Sequence, residues 1–218
     1  MKAVKAALFD LDGVVVDTEA EYTRFWDGQG RLYRPDIDNF ALGIKGYTLR
    51  QVFDEFFADK PELHSKITEA LDRHERSMAY EYVPGFVGFI GLLRENGIAT
   101  ALVTSSNNRK MEAVYAVRPE IRGFFDTIIT AEDVRRSKPD PEGYLLAAAR
   151  LGAGIDEAVV FEDSFSGLRA GKASGMAVIA LTTTLDKSLA APYSQLCIPN
   201  YEGAGVGILE DALSIRFQ

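Results

Sequence analysis

Five short, mostly apolar runs, separated from one another by helical patterns, are the feature that most constrains the fold of this chain. Each run is bounded by polar or turn-forming residues, which is typical of buried strands. The runs lie at residues 4–9, 98–103, 127–129, 158–161 and 176–180. Strands that alternate with helices favour an α/β fold, so the sequence predicts a Rossmann-like core with a doubly wound parallel sheet.

One segment between the first and second runs interrupts this alternation, because it has helical patterns and no convincing strand. Thr18 and Glu21 form a possible capping box, which predicts the start of a helix. Further along, apolar residues recur at the spacing of an amphipathic helix, as at Leu49, Val52, Phe53 and Phe56. We therefore expect two domains: a catalytic core of residues 1–16 and 84–218 and a small α-helical cap of residues 17–83.

The charge and composition of the chain exclude several classes of protein. A net charge of -8 argues against binding to nucleic acids or anionic membranes, because both surfaces attract proteins with a basic excess. Cys197 is the only cysteine, so no internal disulfide and no cysteine-rich zinc cluster can form. No stretch approaches the roughly 20 apolar residues of a membrane span. We expect a cytoplasmic monomer with no nucleic-acid or membrane partner.

Two pairs of acidic residues follow the first and fourth apolar runs. Asp10 and Asp12 come after the first run, and Glu162 and Asp163 come after the fourth. The carboxyl ends of parallel strands meet at one edge of a sheet, where α/β folds bind ligands. Carboxylate oxygens suit a hard cation such as Mg²⁺. Taken alone, Asp-x-Asp-Gly is also a common turn, and that alternative stays open for the first pair.

Hydroxyl and ammonium groups occupy two other strand-end segments. Thr104, Ser105 and Ser106 follow the second run, and Lys138 stands ahead of a helical pattern. Hydroxyls, loop N–H groups and an ammonium are the partners that phosphate oxygens require. Taken singly, Thr104 also suits a helix cap and Lys138 a solvated charge. Together with the acidic pairs, these groups predict a phosphate and metal site at the edge of the sheet.

In their order along the chain, these four segments resemble the four motifs of the haloacid dehalogenase superfamily of phosphotransferases. The resemblance covers the whole chain, and the inserted segment is similar to the family's helical cap of the first type. Within the superfamily the chain most resembles the β-phosphoglucomutase-like branch. The residues that carry the resemblance are Asp10-x-Asp12, Thr104, Lys138-Pro139 and Glu162-Asp163 with Ser164 and Gly167.

The resemblance implies a Mg²⁺-dependent phosphatase that works through an aspartyl phosphate. Asp10 would be the nucleophile, and Asp12 would act first as an acid and then as a base. Thr104 and Lys138 would hold the phosphoryl oxygens. The second aspartate favours phosphoryl transfer over dehalogenation, which needs no leaving-group acid. The implied Mg²⁺ ligands are Asp10, Asp12 through its backbone carbonyl, Asp163 and the nearby Glu162.

Residue 22 bears on the choice between a phosphatase and a mutase. In the mutases that the chain resembles, a cap histidine is expected shortly after the first motif, and here Tyr22 occupies that place. A tyrosine with an ordinary pKa of about 10 is a poor base near neutral pH. His74 lies on an apolar stripe, so we expect it to be packed in the cap rather than to act in catalysis. The phosphatase is therefore the preferred interpretation.

Several further residues are candidates for binding the substrate. Lys45 and Arg50 belong to a segment that resembles the family's specificity loop, and they either bind a second anionic group or are solvated ends of a helix. Ser105, Ser106 and Asn107 follow the second motif, in the region that contacts the far end of the substrate in the mutases. Asn107 stands where a lysine is expected there, which weakens the case for a bisphosphate intermediate.

Three functions are compatible with these patterns. The first is hydrolysis of a small phosphorylated metabolite, such as a sugar phosphate. The second is isomerisation of a sugar phosphate by a β-phosphoglucomutase-type enzyme. The third is binding of phosphate by a catalytically idle protein that has kept the fold. The sequence does not identify the substrate.

Overall fold

The computed structural model describes residues 4–215 and places a six-stranded parallel sheet at the centre of the chain. In chain order the strands are β1 (Ala6–Phe9), β2 (Ala99–Val103), β3 (Thr127–Ile129), β4 (Ala158–Glu162), β5 (Ala177–Leu181) and β6 (Leu196–Ile198). Their order in the sheet is β3-β2-β1-β4-β5-β6, and every neighbouring pair is parallel. This is the doubly wound topology that the sequence predicts.

The five predicted strands are all present, with ends that differ by no more than two residues. The sixth strand was not predicted. It has three half-buried residues at the edge of the sheet, and it is defined by pairing of Leu196 with Ile179 on β5 rather than by a long apolar run. A C-terminal helix follows this strand at Gly207–Ser214.

Helices connect the strands and cover both faces of the sheet. Those of the core are α5 (Phe86–Glu95), α6 (Asn108–Val117), α7 (Ile121–Phe124), α8 (Glu142–Arg150), α9 (Phe165–Ala173), α10 (Lys187–Ala190) and α11 (Gly207–Ser214). Alternate residues of β1 face opposite ways, so that Phe9 packs with Phe86 on one face while Leu8 packs with Tyr144 on the other. Each face of the sheet is thus buried under helices.

Aromatic rings fill the face of the sheet that α5 and α11 cover. The ring of Phe9 stacks on that of Phe161 with centroids 4.5 Å apart, and Phe86 meets Phe9 edge-on at 5.8 Å. All three side chains are fully buried. Because Phe9 and Phe161 directly precede the two acidic pairs, this packing holds the strand ends that present the acidic residues.

The segment between β1 and β2 forms the predicted helical insertion. Its helices are α1 (Glu19–Tyr33), α2 (Phe40–Gly43), α3 (Leu49–Phe56) and α4 (His64–Ser77). They enclose an apolar cluster of their own, to which Trp26, Phe40, Phe57 and Ile67 contribute. The insertion therefore has a hydrophobic core separate from that of the sheet. Among the described residues, no helix has the length and apolar character needed to cross a membrane.

The two connections between the sheet and the insertion run side by side. The Asp17 N–H donates to the carbonyl of Glu81 at 2.7 Å, and the Val83 N–H donates to the carbonyl of Val15 at 3.1 Å. Between them, Val16 and Tyr82 form an antiparallel bridge. The outgoing and returning chain are thus joined by backbone hydrogen bonds.

The predicted capping box at Thr18 and Glu21 is wrong. Thr18 precedes α1 with a helical backbone conformation, and its side chain makes no cap bond. Its hydroxyl donates instead to Oδ1 of Asp12 at 2.6 Å, so a contact with the first strand end takes the place of the helix cap. A complete capping box is found at the start of α3, between Thr48 and Gln51.

Removal of the Phe161 ring tests the importance of the aromatic cluster. We expect Phe161→Ala to lower the free energy of unfolding by about 3–5 kcal/mol, because it leaves a cavity beneath the strand ends that carry the two acidic pairs. Urea denaturation followed by circular dichroism measures the change. Val87→Ala is the control, because Val87 is 47% exposed on α5, and it should change stability by less than about 0.5 kcal/mol. Similar losses for both variants would contradict the role given to the cluster.

Candidate active site

The polar groups predicted from the strand ends meet at the carboxyl edge of the sheet. Asp10 follows β1, Thr104 follows β2, and Glu162 is the last residue of β4. In the sheet β1 lies between β2 and β4, so Asp10 has one of these neighbours on each side. All three side chains are buried. The parallel arrangement thus gathers residues that are far apart in sequence.

Lys138 holds the centre of this site. Its ammonium donates to Oδ1 of Asp10 and to Oε1 of Glu162, each at 2.6 Å, and to the carbonyl of Val103 at 3.0 Å. These three bonds use all three donors of the ammonium. The side chain is 7% exposed, so the alternative that Lys138 is a solvated charge is wrong.

Burial and charge set the protonation of this pair. Burial raises the pKa of Asp10 to about 7, since the nearby ammonium of Lys138 offsets only part of the desolvation and the charges of Glu162 and Asp12 oppose ionisation further. Burial alone would lower the pKa of Lys138, but the carboxylates of Asp10 and Glu162 raise it above its usual value. Lys138 therefore stays an ammonium, while Asp10 is held near its point of ionisation.

Asp10, Glu162 and Asp163 form a cluster suited to a divalent cation. Each contributes a carboxylate oxygen, and these oxygens lie within 4.8 Å of one another. Burial, followed by the charges of Glu19 and Glu162, raises the pKa of Asp163 well above its usual value. A buried, purely oxygen-donor cluster with mutual repulsion is the environment that a hard cation stabilises.

The three carboxylates of the cluster differ in how free they are to bind a cation. Oε1 of Glu162 accepts from Lys138 and also from the hydroxyl of Tyr144 at 2.7 Å, and its Oε2 accepts from the backbone N–H of Asp163 at 3.0 Å. Within residues 4–215, the hydrogen-bond partners of the Asp163 carboxylate are only the hydroxyls of Thr183 and Thr184. Glu162 is thus occupied mainly by protein groups, and Asp10 and Asp163 are the better ligands.

Gly13 allows the first and fourth strand ends to approach each other. Its φ of 72° lies in the left-handed region, and a Cβ at this position would overlap the carboxylate of Asp163. The Gly13 carbonyl accepts from the hydroxyl of Thr183 at 2.6 Å. The Asp-x-Asp-Gly segment is therefore a turn, as the alternative interpretation predicts, and this turn lies within the acidic site.

The side chain of Asp12 is bound apart from the acidic cluster. It accepts from the Thr18 hydroxyl at 2.6 Å, from the Ser106 hydroxyl at 3.4 Å and from the ammonium of Lys110. Lys110 is 6% exposed and was not identified from the sequence. It lies in the first turn of α6. Its position only six residues after Thr104 is the sequence feature that could have identified it as a site residue.

The segment after β2 has more than one role. The Thr104 hydroxyl accepts from the Ser106 N–H at 3.0 Å, and the Ser105 hydroxyl donates to the carbonyl of Gly46 in the cap at 3.2 Å. Asn107, rather than Thr104, caps α6, since its side chain accepts from the Lys110 N–H at 2.9 Å. Although Asn107 replaces an expected lysine, the ammonium of Lys110 supplies a cation in the same region.

The cap residues singled out in the sequence are mostly engaged with protein partners. Lys45 pairs with Glu19, and Arg50 is 90% exposed with Asp54 at 3.5 Å. His74 stacks on Phe25 with centroids 5.1 Å apart, as its predicted packing role requires. Neither basic residue has an unpaired charge directed at the acidic cluster.

Tyr22 faces the site but is held as a neutral phenol. Its hydroxyl donates to Oε1 of Glu75 at 2.9 Å, and the ammonium of Lys110 lies 4.5 Å from the centre of its ring. Burial and the charges of Asp12 and Glu75 raise the pKa of Tyr22 well above its usual value. Tyr22 therefore does not serve as a base near neutral pH.

The cap is docked on the catalytic edge. Gln51 donates to the carbonyl of Lys138 at 2.9 Å, and Ser105 contacts Gly46 as described above. Gly46 has a φ of 78°, and a Cβ there would lie 2.6 Å from Oγ of Ser164. Between the cap and the core lies a cavity of about 530 Å³, lined by Asp10, Asp12, Thr104 and Asp163 on the core side.

Residues 4–175 match the haloacid dehalogenase-like hydrolases. The chain belongs to this family. It is 33% identical to hexitol phosphatase A of Escherichia coli over 84% of the chain and 85% of that protein. It is 32% identical to a probable pseudouridine-5′-phosphatase of Saccharomyces cerevisiae over 81% of the chain and 82% of that protein. Such relatives place this haloacid dehalogenase-like chain among the phosphoric monoester hydrolases.

A solved structure supports the same fold. A β-phosphoglucomutase from Clostridium difficile superposes with a TM-score of 0.78 at 20% identity, and the match covers 97% of each chain. At this identity the likeness concerns the fold. It agrees with the doubly wound α/β core that the sequence predicts.

The raised pKa values of Asp10 and Asp163 predict how metal binding depends on pH. A carboxylate must lose its proton to bind a cation, so protons compete with the metal. In the metal-free protein, the stability linked to protonated Asp10 is present in acid and is lost as the pH rises through about 7. We expect the rise in melting temperature caused by added Mg²⁺ to be larger at about pH 8 than at about pH 6.

Thermal denaturation with and without Mg²⁺ at each pH measures this difference. Asp163→Asn removes one carboxylate of the cluster and should lose most of the Mg²⁺-induced shift at both pH values. An equal shift at the two pH values in the unmodified protein would contradict the competition between protons and the cation.

Proposed function

We propose that this haloacid dehalogenase-like hydrolase is a Mg²⁺-dependent phosphatase that acts on a small phosphorylated metabolite through an aspartyl phosphate on Asp10. The observation that carries the proposal is that two nearby aspartates have different surroundings and different partners. Asp10 lies in the buried cluster with Lys138, while Asp12 lies outside it and is bound by Lys110 and Thr18. One carboxylate is thus available as a nucleophile and the other as an acid.

The first chemical step is attack by Asp10 on phosphorus. A carboxylate oxygen of Asp10 forms a bond to phosphorus while the bond between phosphorus and the alcohol oxygen of the substrate breaks. Asp12 enters this step protonated and gives its proton to the departing oxygen, so that the alcohol leaves in neutral form and Asp12 is left as the carboxylate that pairs with Lys110. The product of this step is a phosphoryl group on Asp10 and an ionised Asp12.

The second step releases phosphate and restores both aspartates. Asp12 takes a proton from a water molecule, whose oxygen attacks the phosphorus of the aspartyl phosphate. The bond between phosphorus and the Asp10 oxygen breaks, which regenerates the Asp10 carboxylate and yields inorganic phosphate. The close hydroxyl of Thr18 and the ammonium of Lys110 hold Asp12 in one orientation through both steps.

The remaining polar groups bind the phosphoryl oxygens and the cation. Thr104, Ser105 and Ser106 supply hydroxyl and N–H donors, and Lys138 supplies positive charge beside the nucleophile. When bound, Mg²⁺ offsets the repulsion between the anionic nucleophile and the anionic substrate. Its proposed ligands are Asp10, Asp163 and the backbone carbonyl of Asp12, with Glu162 next to them.

A β-phosphoglucomutase-type isomerase is the second candidate, and Lys110 is the observation that favours it. A mutase must hold a bisphosphate intermediate, and Lys110 supplies a cation where Asn107 does not. Against this, the ammonium of Lys110 is paired with Asp12, and the pKa of Tyr22 is raised well above its usual value, so that it does not replace the expected histidine. The pairing of Lys110 with Asp12 and the raised pKa of Tyr22 both favour hydrolysis over isomerisation.

The names of the relatives support a broad substrate class. One is named hexitol phosphatase A and another is named a probable pseudouridine-5′-phosphatase. Both names indicate phosphate monoesters of small metabolites, which is the substrate class that we propose for this chain. A sugar phosphate or a similar metabolite belongs to it.

Phosphate release from a panel of phosphorylated metabolites tests the proposed reaction. We expect release that requires Mg²⁺ and that Asp10→Asn reduces at least about 1,000-fold, because the nucleophile is lost. Asp211→Asn is the matched control, because Asp211 is exposed on α11, away from the cavity lining. Conversion of β-glucose 1-phosphate to glucose 6-phosphate faster than its hydrolysis would establish the mutase instead. Absence of turnover across the panel would favour the idle phosphate-binding protein.

Lys110 is expected to act as a positioning residue for Asp12. Lys110→Met should lower kcat about 10- to 100-fold with little change in KM. Without Lys110 the carboxyl of Asp12 is displaced, which weakens proton transfer in the transition state but does not weaken substrate binding. Steady-state kinetics measures both parameters. Lys187→Met is the control, since Lys187 is exposed on α10. A rise in KM at constant kcat would mean that Lys110 binds the substrate and does not position Asp12.

A further inference from the structure

The cavity above the catalytic edge extends into the interior of the cap. Its walls include residues from all four cap helices or the loops beside them. The apolar members from the cap are Trp26, Ala41, Ile44, Leu49, Val52, Phe53 and Leu71. Five of these, all except Leu49 and Phe53, are buried residues of the cap's own hydrophobic cluster. The core of the cap is therefore hollow on the side that faces Asp10.

The volume of this cavity exceeds what a phosphate group and a short polyol need. A dry apolar cavity of about 150 Å³ holds one benzene molecule, whereas this cavity measures about 530 Å³. The phosphoryl group occupies only the end formed by Asp10, Thr104 and the residues beside them. Space for a further group of ring size or larger remains inside the cap.

The charges around the cavity disfavour a second anionic group on the substrate. Among the described residues that line it, each lysine and arginine has a carboxylate partner. Lys45 pairs with Glu19, Lys110 with Asp12 and Arg50 with Asp54. An additional phosphate or carboxylate would have to compete with these carboxylates for its cation, whereas an uncharged group would not.

Two polar side chains inside the cap already have protein partners. The Tyr22 hydroxyl donates to Glu75, and Nε2 of His64 lies 2.9 Å from the carbonyl of Phe57 while its ring stacks on Phe53. Hydroxyls of a polyol or sugar that lie against Ile44 and Val52 would gain no hydrogen-bond partner from those side chains, which opposes their binding there.

We infer that the preferred substrate is a phosphomonoester whose alcohol carries an uncharged, largely apolar body, and that this body binds inside the cap. The inference rests on the proposed phosphatase function and specifies its substrate. The core supplies the phosphoryl chemistry, and the apolar interior of the cap selects the alcohol. Transfer of the alcohol from water to this interior is the source of the selectivity.

A matched pair of esters tests the inference. Cyclohexylmethyl phosphate and glucose 6-phosphate both carry phosphate on a primary alcohol attached to a six-membered ring, but only the sugar has ring hydroxyls. We expect kcat/KM to be at least about tenfold higher for cyclohexylmethyl phosphate. Methyl phosphate, whose alcohol is too short to enter the cap, reports the activity of the core alone.

Two cap variants locate the effect in the cavity. Ala41→Leu fills the apolar space and should lower kcat/KM for cyclohexylmethyl phosphate about tenfold more than it lowers kcat/KM for methyl phosphate. Val52→Thr keeps the shape of the side chain but adds a hydroxyl. It should therefore lower the ratio of kcat/KM for cyclohexylmethyl phosphate to kcat/KM for glucose 6-phosphate. Leu42→Ala is the control, because Leu42 is 52% exposed on α2 and does not line the cavity.

The outcomes separate this inference from the proposed function. Equal or better turnover of glucose 6-phosphate, with methyl phosphate hydrolysed, overturns the apolar substrate class and leaves the phosphatase intact. Loss of methyl phosphate hydrolysis in Ala41→Leu, but not in Leu42→Ala, also overturns it, since the variant then acts on the core. Failure to hydrolyse any of the three esters overturns this inference, and absence of turnover across the metabolite panel as well removes the phosphatase.

Discussion

The buried ammonium of Lys138, shared between the carboxylates of Asp10 and Glu162, is the interaction on which the catalytic edge depends. Without it, two carboxylates from neighbouring strands would face each other in a site that water hardly reaches. Loss of one partner from such a buried charge pair typically costs about 3–5 kcal/mol. The ammonium does not fully offset the burial of Asp10, whose pKa stays raised to about 7. The negative charge of the site is therefore not fully compensated by Lys138, and a bound divalent cation would compensate the remainder.

The strand-end residues were predictable from the sequence because their signal is local. Asp10 and Glu162 directly end apolar runs, and the alternation of strands and helices implies a parallel sheet that brings such ends together. Lys110 gives no comparable signal. It contacts Asp12 across 98 positions of sequence, and only the packing of α6 beside the first strand end directs its ammonium there. A helix sequence by itself does not reveal that contact.

Competition between partners explains the other differences between expectation and structure. Thr18 has the sequence of a helix cap, but the carboxylate of Asp12 takes its hydroxyl. Lys45 has the position of a substrate ligand, but Glu19 takes its ammonium. The short strand β6 is defined by a neighbour rather than by its own residues. In each case the sequence shows a group with several possible partners, and the tertiary structure selects one.

The paired connections between core and cap limit how the two can separate. Because Val16 and Tyr82 are bridged and flanked by backbone hydrogen bonds, the two linkers cannot swivel independently. Any rotation of the cap away from the core would therefore have to bend both linkers together. The hydrogen bonds from Ser105 to Gly46 and from Gln51 to Lys138 join the cap to the core, so such a rotation would also break them. Entry of substrate and exit of the alcohol would then depend on the same bend in the paired linkers.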